Sequence, residues 1–569
     1  MALTRRRDPL CRGEAGSRGD SRVRLAAGVD RIAGEFILLW GWRRALAALI
    51  AGALSALAMP PIYAFPVLFL TFPVLVWLMD ATAADPPAGF FGRFSAGFVT
   101  GFAFGFGYFF AGLWWVGAAL LVEADQYAWM LPFALTLLPA LLAAFWGGVT
   151  GVAVLVWREG WPRILLLAGM LSLGEYLRGT LFTGFPWNTI GYAAMPTPLA
   201  MQSSALIGLY GVTVLSLPVF GVLALRPLPV RRTRVPAMFA MAAATLVLFH
   251  MGYGAWRLSV VPGGLREGVL LRIVQPDIDQ AEKWSPDMEA RHFTTLLRLS
   301  SPGLANPPPG SEPVTHIIWP ESAFPFVLTE RPDALTALGE MIPDGAMLIA
   351  GALRVEPPAT GTGAAGRRER VFNSVLAIDD SGEIVGAADK VHLVPFGEYL
   401  PLQEWAEAIG IRQLTHLRGG FEPGVGAKLL AAAAAGRFLP LVCYEIIFPG
   451  AAATGAERPD FIVNVTNDAW YGMTPGPYQH WHQAVVRGVE EGLPVVRAAN
   501  NGISSVTDAA GRTIALLGLG RRGAIDARLP LPAPATLYSE WGNLPFFCFC
   551  VLFLALGIIA GRGRFRRDV

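Results

Sequence analysis

The chain has 569 residues, of which 53% are hydrophobic and 15% are charged, and its formal net charge is +2. Soluble domains typically contain about 25% charged residues, so this composition indicates segments that lie in lipid. The nearly neutral charge gives no support to a nucleic-acid-binding protein, and we expect no nucleic acid among its partners.

The N-terminal segment contains arginines, but its first 35 residues have no apolar stretch of the kind found in a signal peptide. Cleaved signal peptides have an apolar core of about 7–15 residues after a basic start. Residues 1–40 are therefore predicted to form a cytosolic tail. A start codon assigned too far upstream would explain the same residues.

Eight apolar stretches are predicted to cross a membrane, because a hydrocarbon core of about 30 Å needs roughly 17–25 residues. Two prolines, Pro60 and Pro61, separate the first two stretches and predict a helical hairpin. Seven stretches would form a bundle over 41–257, and the last would anchor the C-terminal segment 542–569. The predicted spans are 44–59, 62–80, 92–116, 129–156, 163–178, 201–225, 236–256 and 544–561.

The arginines predict the orientation of this bundle, because short cytoplasmic loops are enriched in basic residues. The loops 157–163 and 226–234 and the C-terminal end 561–569 are basic, whereas the loop 122–127 is acidic. Both termini are therefore predicted inside the cell. The long segment 258–541 would lie on the opposite side of the membrane, outside.

Residues 258–541 differ from the rest, because short β-rich runs alternate there with helical and Gly/Pro-rich stretches. This alternation predicts an α/β domain whose sheets are buried on at least one face. The glycine-rich stretch 357–368 lacks the Lys-Ser/Thr ending of a phosphate-binding loop, and we interpret it as a hairpin tip. The β-rich runs are 268–275, 315–321, 346–353, 374–380, 438–445, 460–468 and 502–515.

The four cysteines of the chain suggest no disulfide framework. Only Cys443 lies in the predicted α/β domain, whereas Cys548 and Cys550 lie in the last apolar stretch and Cys11 in the tail. The nearest approach to a metal motif is the pair of histidines in "HWH" at 480–482, which has no further ligand nearby. We therefore predict neither a metal nor a cofactor.

Three polar residues follow predicted strands, namely Glu321 after "IIWP", Lys390 after "GAAD" and Cys443 after "LPLV". Singly, they would be a solvated turn, an exposed charge and a small buried side chain. Together they suggest a nucleophile with its helpers, because a thiol of pKa near 8.5 needs a base before it attacks a carbonyl. Glu321 is the predicted base.

The negative charge that forms on the carbonyl oxygen would be stabilised by the Lys390 ammonium and by the backbone N–H of Tyr444. The chain has only three lysines, Lys283, Lys390 and Lys428, among its 45 basic side chains. The choice of lysine at 390 therefore favours a small, concentrated charge over the broad guanidinium of arginine.

The motifs "WPES", "DKVHLVPFGEYLP" and "VCYEIIFP" occur in this order, followed by "NDAWYG" and "RAANNGISSVTDAAGR". This set resembles the carbon–nitrogen hydrolase (nitrilase) superfamily, which implies that Glu321, Lys390 and Cys443 form a catalytic triad. "GEYLRGTLFTGFPWN" in the apolar part resembles a segment of the apolipoprotein N-acyltransferase family. The resemblance runs from about residue 40 onward and implies an αββα sandwich domain attached to a bundle of about eight transmembrane helices.

The resemblance also implies supporting residues. Glu398 and Glu445 match positions important for activity. The alternative for Glu398 is that it merely forms a salt bridge that holds Lys390. The side chain of Glu445 could point toward Cys443 or away from it, depending on whether the strand continues. Trp284 matches a functional tryptophan on a loop, and a membrane-interface aromatic is its alternative. Asn373 matches a position near the pocket.

The family implies a two-step reaction with ping-pong kinetics. Cys443 would take a fatty acyl chain from a phospholipid and pass it to the α-amine of the N-terminal, diacylglyceryl-modified cysteine of an apolipoprotein. We expect a monomer. Three alternatives stay open: a membrane-tethered amidase or nitrilase, a transporter with a sensory outer domain, and a structural partner of a separate glycosyltransferase. Few charges lie inside the predicted spans, which disfavours the transporter.

Overall fold

The computed structural model describes residues 29–84, 89–225, 235–303, 312–357, 369–403, 420–451 and 457–562. Helices occupy the chain up to Val260, which we call the helical half. The described residues between Leu265 and Pro530 contain twelve strands, and we call this part the sheet half. Most of the predicted tail with Cys11, the basic loop 226–234, nearly all of the glycine-rich stretch and the basic C-terminal end lie outside the described residues.

The helical half consists of long apolar helices, and one further helix, Leu544–Arg562, follows the sheet half. The helix Val235–Val260 continues past residue 258, the predicted start of the α/β domain. The other helices of this half are Gly41–Ser55, Leu68–Ala84, Gly89–Leu113, Ala118–Leu121, Ala124–Tyr127, Leu131–Leu155, Pro162–Thr180, Pro198–Met201 and Ser204–Phe220.

A helix lies at each predicted span, but in the described part of the chain only five are long and apolar enough to cross a membrane. Gly41–Ser55 has 15 residues, the apolar part of the last helix is Leu544–Ala560, and Pro162–Thr180 contains charged side chains. Three predicted spans are therefore shorter or more polar than expected. The five are Phe65–Ala84, Gly89–Leu121, Ala124–Leu155, Ser204–Leu225 and Val235–Val260.

The charges of the helix Pro162–Thr180 are compensated inside the protein. Arg178 and Glu175 form a fully buried ion pair of 2.7 Å, and the Trp146 indole donates to Glu175 at 2.7 Å. Arg178 also donates to the carbonyl of Trp187 at 3.0 Å. A buried ion pair is tolerated when its remaining donors and acceptors are satisfied. This pair therefore holds the segment after the helix, which contacts the sheet half through the hydrogen bond from Tyr444 to Gly184.

Two six-stranded sheets form the sheet half, with strand orders β12-β1-β2-β3-β4-β5 and β11-β10-β9-β8-β7-β6. β1, β2 and β3 are parallel in the first sheet, and β7, β8 and β9 in the second. The strands are β1 Leu265–Gln275, β2 His316–Trp319, β3 Met347–Glu356, β4 Arg370–Asp379, β5 Ile384–Asp389, β6 Leu430–Ala431, β7 Arg437–Val442, β8 Phe461–Thr466, β9 Val495–Ala499, β10 Ser504–Thr507, β11 Thr513–Leu517 and β12 Gly523–Pro530.

Apolar side chains of both sheets pack between them, and β-branched residues dominate this layer, as expected for a pleated buried surface. The helices Glu289–Ser300 and Pro332–Met341 cover the first sheet, and Pro475–Glu491 packs between the second sheet and the helical half. The predicted αββα sandwich on a helical bundle is confirmed. Central members of the inter-sheet core are Val269, Leu271, Ile273, Ile318, Ile349, Val375, Val442, Val463, Val465 and Val496.

Two predicted β-rich runs differ from the structure. In the run 438–445 the strand ends at Val442, and the next residues, Cys443–Ile447, form a short 3₁₀ helix. The run 502–515 is two strands, β10 and β11, joined by a turn in which the Asp508 carboxylate accepts from the backbone N–H of Ala510 at 2.9 Å. A polar residue that satisfies turn N–H groups ends a strand where hydrophobicity alone would continue it.

Candidate active site

Polar residues follow the carboxyl ends of four strands at one edge of the two sheets. Glu321 lies two residues after β2, and Lys390 directly follows β5. Cys443 directly follows β7, and Asn467 directly follows β8. β2 and β5 run in the same direction, as do β7 and β8. Carboxyl ends of parallel strands are a common place for ligand sites, and here they bring these side chains together.

The carboxylate of Glu321 connects the two sheets. One oxygen accepts from the side-chain amide of Asn373 and the other from the backbone N–H of Asn467, both at 2.8 Å. Lys390 Nζ lies 3.8 Å from the same carboxylate. A Cβ on Gly351 of β3 would lie 2.5 Å from the Glu321 Cα, so a glycine is required beside this strand end. Glu321 is thereby held in one orientation.

Lys390 is buried and paired with Glu398. Its Nζ donates to the Glu398 carboxylate at 2.9 Å, which also accepts from Asn373 at 2.9 Å and from the Val394 N–H at 2.8 Å. Burial alone would lower the pKa of Lys390, but the carboxylates of Glu398 and Glu321 outweigh burial and hold it above its ordinary value. The lysine is therefore charged at neutral pH, and the contact matches the predicted salt bridge.

Cys443 lies at the sharp turn where the chain leaves β7. Its backbone φ of 50° is in the left-handed region, which costs about 1–3 kcal/mol for a residue other than glycine. The residue is 6% exposed, and its Sγ lies 3.9 Å from the Tyr471 hydroxyl. His480 Nε2 lies 3.1 Å from the Cys443 carbonyl oxygen. Strained backbone of this kind is frequent at functional sites, where surrounding contacts hold it.

The thiol of Cys443 needs a base in this environment. Burial and the carboxylate of Glu321 raise its pKa to about 12, against the opposing ammonium of Lys390. At neutral pH the sulfur is therefore protonated. Removal of this proton has to be coupled to the attack on a substrate, as a neighbouring carboxylate allows.

Glu445 binds backbone groups, which decides between its two predicted orientations. One carboxylate oxygen accepts from the N–H groups of Val391 at 2.7 Å and His392 at 3.0 Å, and the other from the N–H of Val442 at 2.7 Å. Burial raises the pKa of Glu445, and these N–H donors oppose that rise. Glu445 thus ties the end of β7 to the segment after β5, which favours a positioning role.

Tyr444 connects the site to the helical half. Its hydroxyl donates to the carbonyl oxygen of Gly184 at 2.9 Å. Its ring stacks on Phe185, with centroids 6.2 Å apart and an interplanar angle of 27°. The residue next to the candidate nucleophile therefore rests on the segment that the buried Arg178 holds from within the helical half.

Trp284 lies outside the polar network, with 40% of its surface exposed. Its ring centre is 5.9 Å from Nζ of Lys283, a residue that the sequence did not place in the site. Lys283 is 4% exposed and donates to the backbone carbonyl of Glu321 at 3.1 Å. Burial lowers its pKa to about 8, although the Glu321 carboxylate and Cys443 raise it. Two buried ammonium groups therefore flank Glu321.

The histidines of "HWH" contact protein groups. His480 Nδ1 lies 2.9 Å from Asp468, and Arg497 donates to the same carboxylate at 2.8 Å. Burial would raise the pKa of Asp468, but Arg497 and His480 outweigh it and hold that pKa well below its usual range. His482 Nδ1 lies 3.2 Å from the Tyr63 hydroxyl. His480, Asp468 and Arg497 thus form a buried polar cluster next to the Cys443 carbonyl.

Both halves of the chain match known protein families. Residues 51–223 match the apolipoprotein N-acyltransferase N-terminal domain, and residues 273–535 match the carbon–nitrogen hydrolase family. A protein of Brucella suis biovar 1 named apolipoprotein N-acyltransferase is 45% identical over 541 residues, which cover 94% of this chain and 98% of that protein. A protein of the same name from Allorhizobium ampelinum is 44% identical over 542 residues, covering 95% and 100%.

Among solved structures, the NitN amidase from Neterenkonia sp. AN1 is similar to this chain, with a TM-score of 0.32 and 16% identity over 46% of this chain and 93% of the amidase.

The stacked sheets, with a glutamate, a lysine and a cysteine at their strand ends, define a protein of the carbon–nitrogen hydrolase class, and the family match to residues 273–535 agrees. Here that domain is joined to a bundle of apolar helices. The chain belongs to the apolipoprotein N-acyltransferase family. It is accordingly an acyltransferase and a membrane protein, and both predictions are confirmed.

Proposed function

We propose that this chain transfers a fatty acyl chain from a phospholipid to the α-amine of the N-terminal diacylglyceryl-cysteine of an apolipoprotein, with Cys443 as the carrier. The observation that carries the proposal is the hydrogen bond from Tyr444 to Gly184, which sets the candidate nucleophile against the helical half. An acyl chain drawn from lipid would be retained by burial of its methylenes, at about 0.8 kcal/mol each.

In the first half-reaction, Glu321 takes the thiol proton as Sγ of Cys443 attacks the ester carbonyl of the phospholipid. The negative charge on the carbonyl oxygen is stabilised by Lys390 and the N–H of Tyr444. The bond to the glycerol oxygen then breaks, and Glu321 returns the proton to that oxygen. The products are a lysophospholipid and an acyl thioester on Cys443.

In the second half-reaction, the neutral α-amine of the acceptor attacks the thioester carbonyl. Glu321 takes a proton from the attacking nitrogen, the carbon–sulfur bond breaks, and the sulfur leaves with its electron pair and regains a proton. Because donor and acceptor use the same sulfur in turn, the kinetics should be ping-pong. The amide product is stable, which makes the transfer effectively one-way.

The positions of the arginines support a bacterial inner-membrane protein with the sheet half on the periplasmic side. That side is where a diacylglyceryl-modified N-terminus and the outer leaflet of the membrane would both be accessible. We propose a monomer that needs no cofactor, because thiol, carboxylate and ammonium groups supply every proton transfer and charge interaction in the two steps.

A partition experiment tests this function against simple hydrolysis. The full-length protein, purified in detergent, is incubated with a phospholipid and a peptide whose N-terminal cysteine carries a diacylglyceryl group. We expect lysophospholipid and N-acylated peptide in equal amounts. Release of free fatty acid with unmodified peptide would identify a membrane-tethered hydrolase and overturn the proposal.

Two controls make the result specific. A peptide with an acetylated α-amine should accept no acyl chain, because it lacks the attacking nitrogen. Cys443→Ser should lose transfer, whereas Cys548→Ser makes the same chemical change at an exposed position of the last helix and should leave transfer unchanged.

A further inference from the structure

Tyr471 has a hydroxyl that approaches the candidate nucleophile, as the hydroxyl of Thr466 also does. It ends the short 3₁₀ helix Asp468–Tyr471 that follows β8, and its Oη lies 3.9 Å from Sγ of Cys443. Burial raises the pKa of Tyr471 well above its usual range, and the neighbouring Cys443 raises it further. The phenol therefore keeps its proton at any physiological pH and is available to the sulfur as a donor.

Three aromatic rings surround Tyr471, and all meet it edge to face. Trp115 and Trp187 of the helical half have ring centres 4.8 and 5.6 Å from it, at interplanar angles of 70° and 77°. His480 of the sheet half lies at 5.7 Å and 75°. Edge-to-face contacts at these distances are favourable. The orientation of the phenol ring is thus set mainly by tryptophans from the other half of the chain.

A single glutamine holds the two tryptophans. Oε1 of Gln479, in the helix Pro475–Glu491, accepts from the indole N–H of Trp115 at 3.0 Å and of Trp187 at 2.8 Å. Its amide donates to the Pro60 carbonyl at 3.3 Å. The glutamine and both tryptophans are nearly fully buried. Removing their common acceptor would leave two buried donors unsatisfied, which is costly. We call this arrangement the Gln479 clamp.

We propose that Tyr471 is a further catalytic residue, whose hydroxyl donates a hydrogen bond to the Cys443 sulfur, and that the Gln479 clamp positions it. This inference rests on the proposed role of Cys443 as the acyl carrier. It assigns the helical half a part in the chemistry, because two of the three rings that orient Tyr471 come from that half.

The hydrogen bond acts at the two moments when sulfur carries negative charge. The first is the transfer of the thiol proton to Glu321, and the second is the departure of sulfur when the carbon–sulfur bond of the thioester breaks. Tyr471 keeps its own proton throughout, so no further acid or base is needed. Hydrogen bonds to an ionised acceptor are stronger than those to a neutral one, so the donor stabilises thiolate more than thiol.

The test measures the acidity of Cys443 directly, without lipid. The full-length protein is alkylated with iodoacetamide at a series of pH values, and the modified Cys443 peptide is quantified by mass spectrometry. Tyr471→Phe should raise the apparent pKa of the thiol and slow alkylation roughly tenfold at a fixed pH below that pKa. Tyr478→Phe, the same change at an exposed position of the neighbouring helix, should leave the profile unchanged.

Gln479→Leu tests the clamp. It should shift the alkylation profile in the same direction as Tyr471→Phe, and the double variant should match Tyr471→Phe alone, because the glutamine acts through the tyrosine. Trp115→Phe, which keeps a ring but removes one indole N–H, gives a milder form of the same change if Gln479→Leu does not fold. It should shift the profile partway, and its pairing with Tyr471→Phe should again add nothing.

Two results would overturn the inference. A wild-type alkylation profile in Tyr471→Phe would show that the hydroxyl does not act on sulfur, and additive effects in the double variants would show that the clamp does not act through Tyr471. The proposed function fails separately, if wild-type protein forms no acyl thioester on Cys443. Alkylation without lipid does not depend on that outcome.

Discussion

The two sides of the candidate active site are built from different parts of the molecule. The carboxylate side, formed by Glu321, Asn373, Lys390 and Glu398, takes the hydrogen bonds described above from residues of the sheet half. The sulfur side, formed by Cys443, Tyr444 and Tyr471, rests on Gly184, Phe185, Trp115 and Trp187 of the helical half. The candidate base and cation are thus held within the sheet half, whereas the candidate nucleophile is linked to the helical half through its neighbours Tyr444 and Tyr471.

This difference in contacts indicates which side of the candidate site depends on the helical half. The carboxylate side performs proton transfer and charge stabilisation, which any carbonyl reaction at a thiol requires. The sulfur side contacts the part of the chain from which a lipid substrate would arrive. Changes on the carboxylate side should therefore abolish chemistry with any substrate, whereas loss of the Tyr444 hydroxyl on the sulfur side should weaken the coupling between the two halves.

The largest effect is expected for Glu321→Gln, which keeps the shape of the side chain but removes the base. Acyl-adduct formation on Cys443 should slow by about 10²–10⁴-fold, the usual contribution of a general base. The rate is measured by mass spectrometry in a single turnover with phospholipid. An adduct that forms at the wild-type rate would remove Glu321 from the mechanism.

Lys283→Met tests the second buried ammonium through the pH dependence of stability. The pKa of Lys283 is lowered from 10.5 to about 8, so the unfolded chain binds more protons between these pH values and folding stability rises with pH in that window. A shift of this size corresponds to about 3 kcal/mol at most. Melting temperatures of wild type and variant are compared from pH 7 to pH 10.5.

The wild-type protein should gain stability relative to Lys283→Met as the pH rises from about 8 toward 10.5, because the destabilising charge is lost over that interval. Lys428→Met, at an exposed lysine, is the matched control and should run parallel to wild type. Parallel curves for wild type and Lys283→Met would show that burial does not lower the pKa of Lys283.

Glu398→Gln should act through Lys390. Loss of its carboxylate removes a charged hydrogen bond of 2.9 Å, and such bonds contribute about 1.5–3 kcal/mol, so acyl transfer should fall roughly 10–100-fold. Glu398 helps to raise the pKa of Lys390, so the variant should also lose activity at a lower pH on the alkaline side than wild type. If activity is lost at the same alkaline pH in Glu398→Gln as in wild type, Glu398 does not act through the pKa of Lys390.

Tyr444→Phe should have the smallest effect, and it tests the contact between the halves. The variant keeps the stacking on Phe185 but loses the hydrogen bond to Gly184, which contributes about 1 kcal/mol. We expect a small fall in melting temperature and about fivefold weaker transfer from phospholipid. Alkylation of Cys443 without lipid should be unchanged. A change in alkylation alone would place the effect of Tyr444 in the chemistry.

The three triad candidates were predictable from the sequence, whereas Asn373 and Glu398 were implied only by the family resemblance. Glu321, Lys390 and Cys443 each follow a strand, strand ends of one direction meet at one edge, and the motifs around them resemble those of the carbon–nitrogen hydrolase superfamily. The orientation of Glu445 was not predictable. That orientation depends on the left-handed backbone at Cys443, where the strand ends. The alternation of side chains along a strand does not predict the residue at which the strand ends.

The sulfur side and the membrane spans were less predictable. Tyr471 ends a short 3₁₀ helix and Lys283 lies in a turn, where the direction of a side chain depends on its neighbours in the fold rather than on local periodicity. The scarcity of lysine was the one available signal for Lys283. The helix Pro162–Thr180 departs from a simple span because the pair Glu175–Arg178 is satisfied by Trp146 and by the carbonyl of Trp187, which lie outside this helix.

The mass of the protein after incubation with phospholipid, in the absence of any acceptor, tests the central claim most directly. Full-length wild-type protein should become heavier by one acyl chain, the added mass should map to the peptide containing Cys443, and a diacylglyceryl-cysteine peptide should remove it. An unchanged mass, or an acyl chain that maps to another residue, would contradict the account.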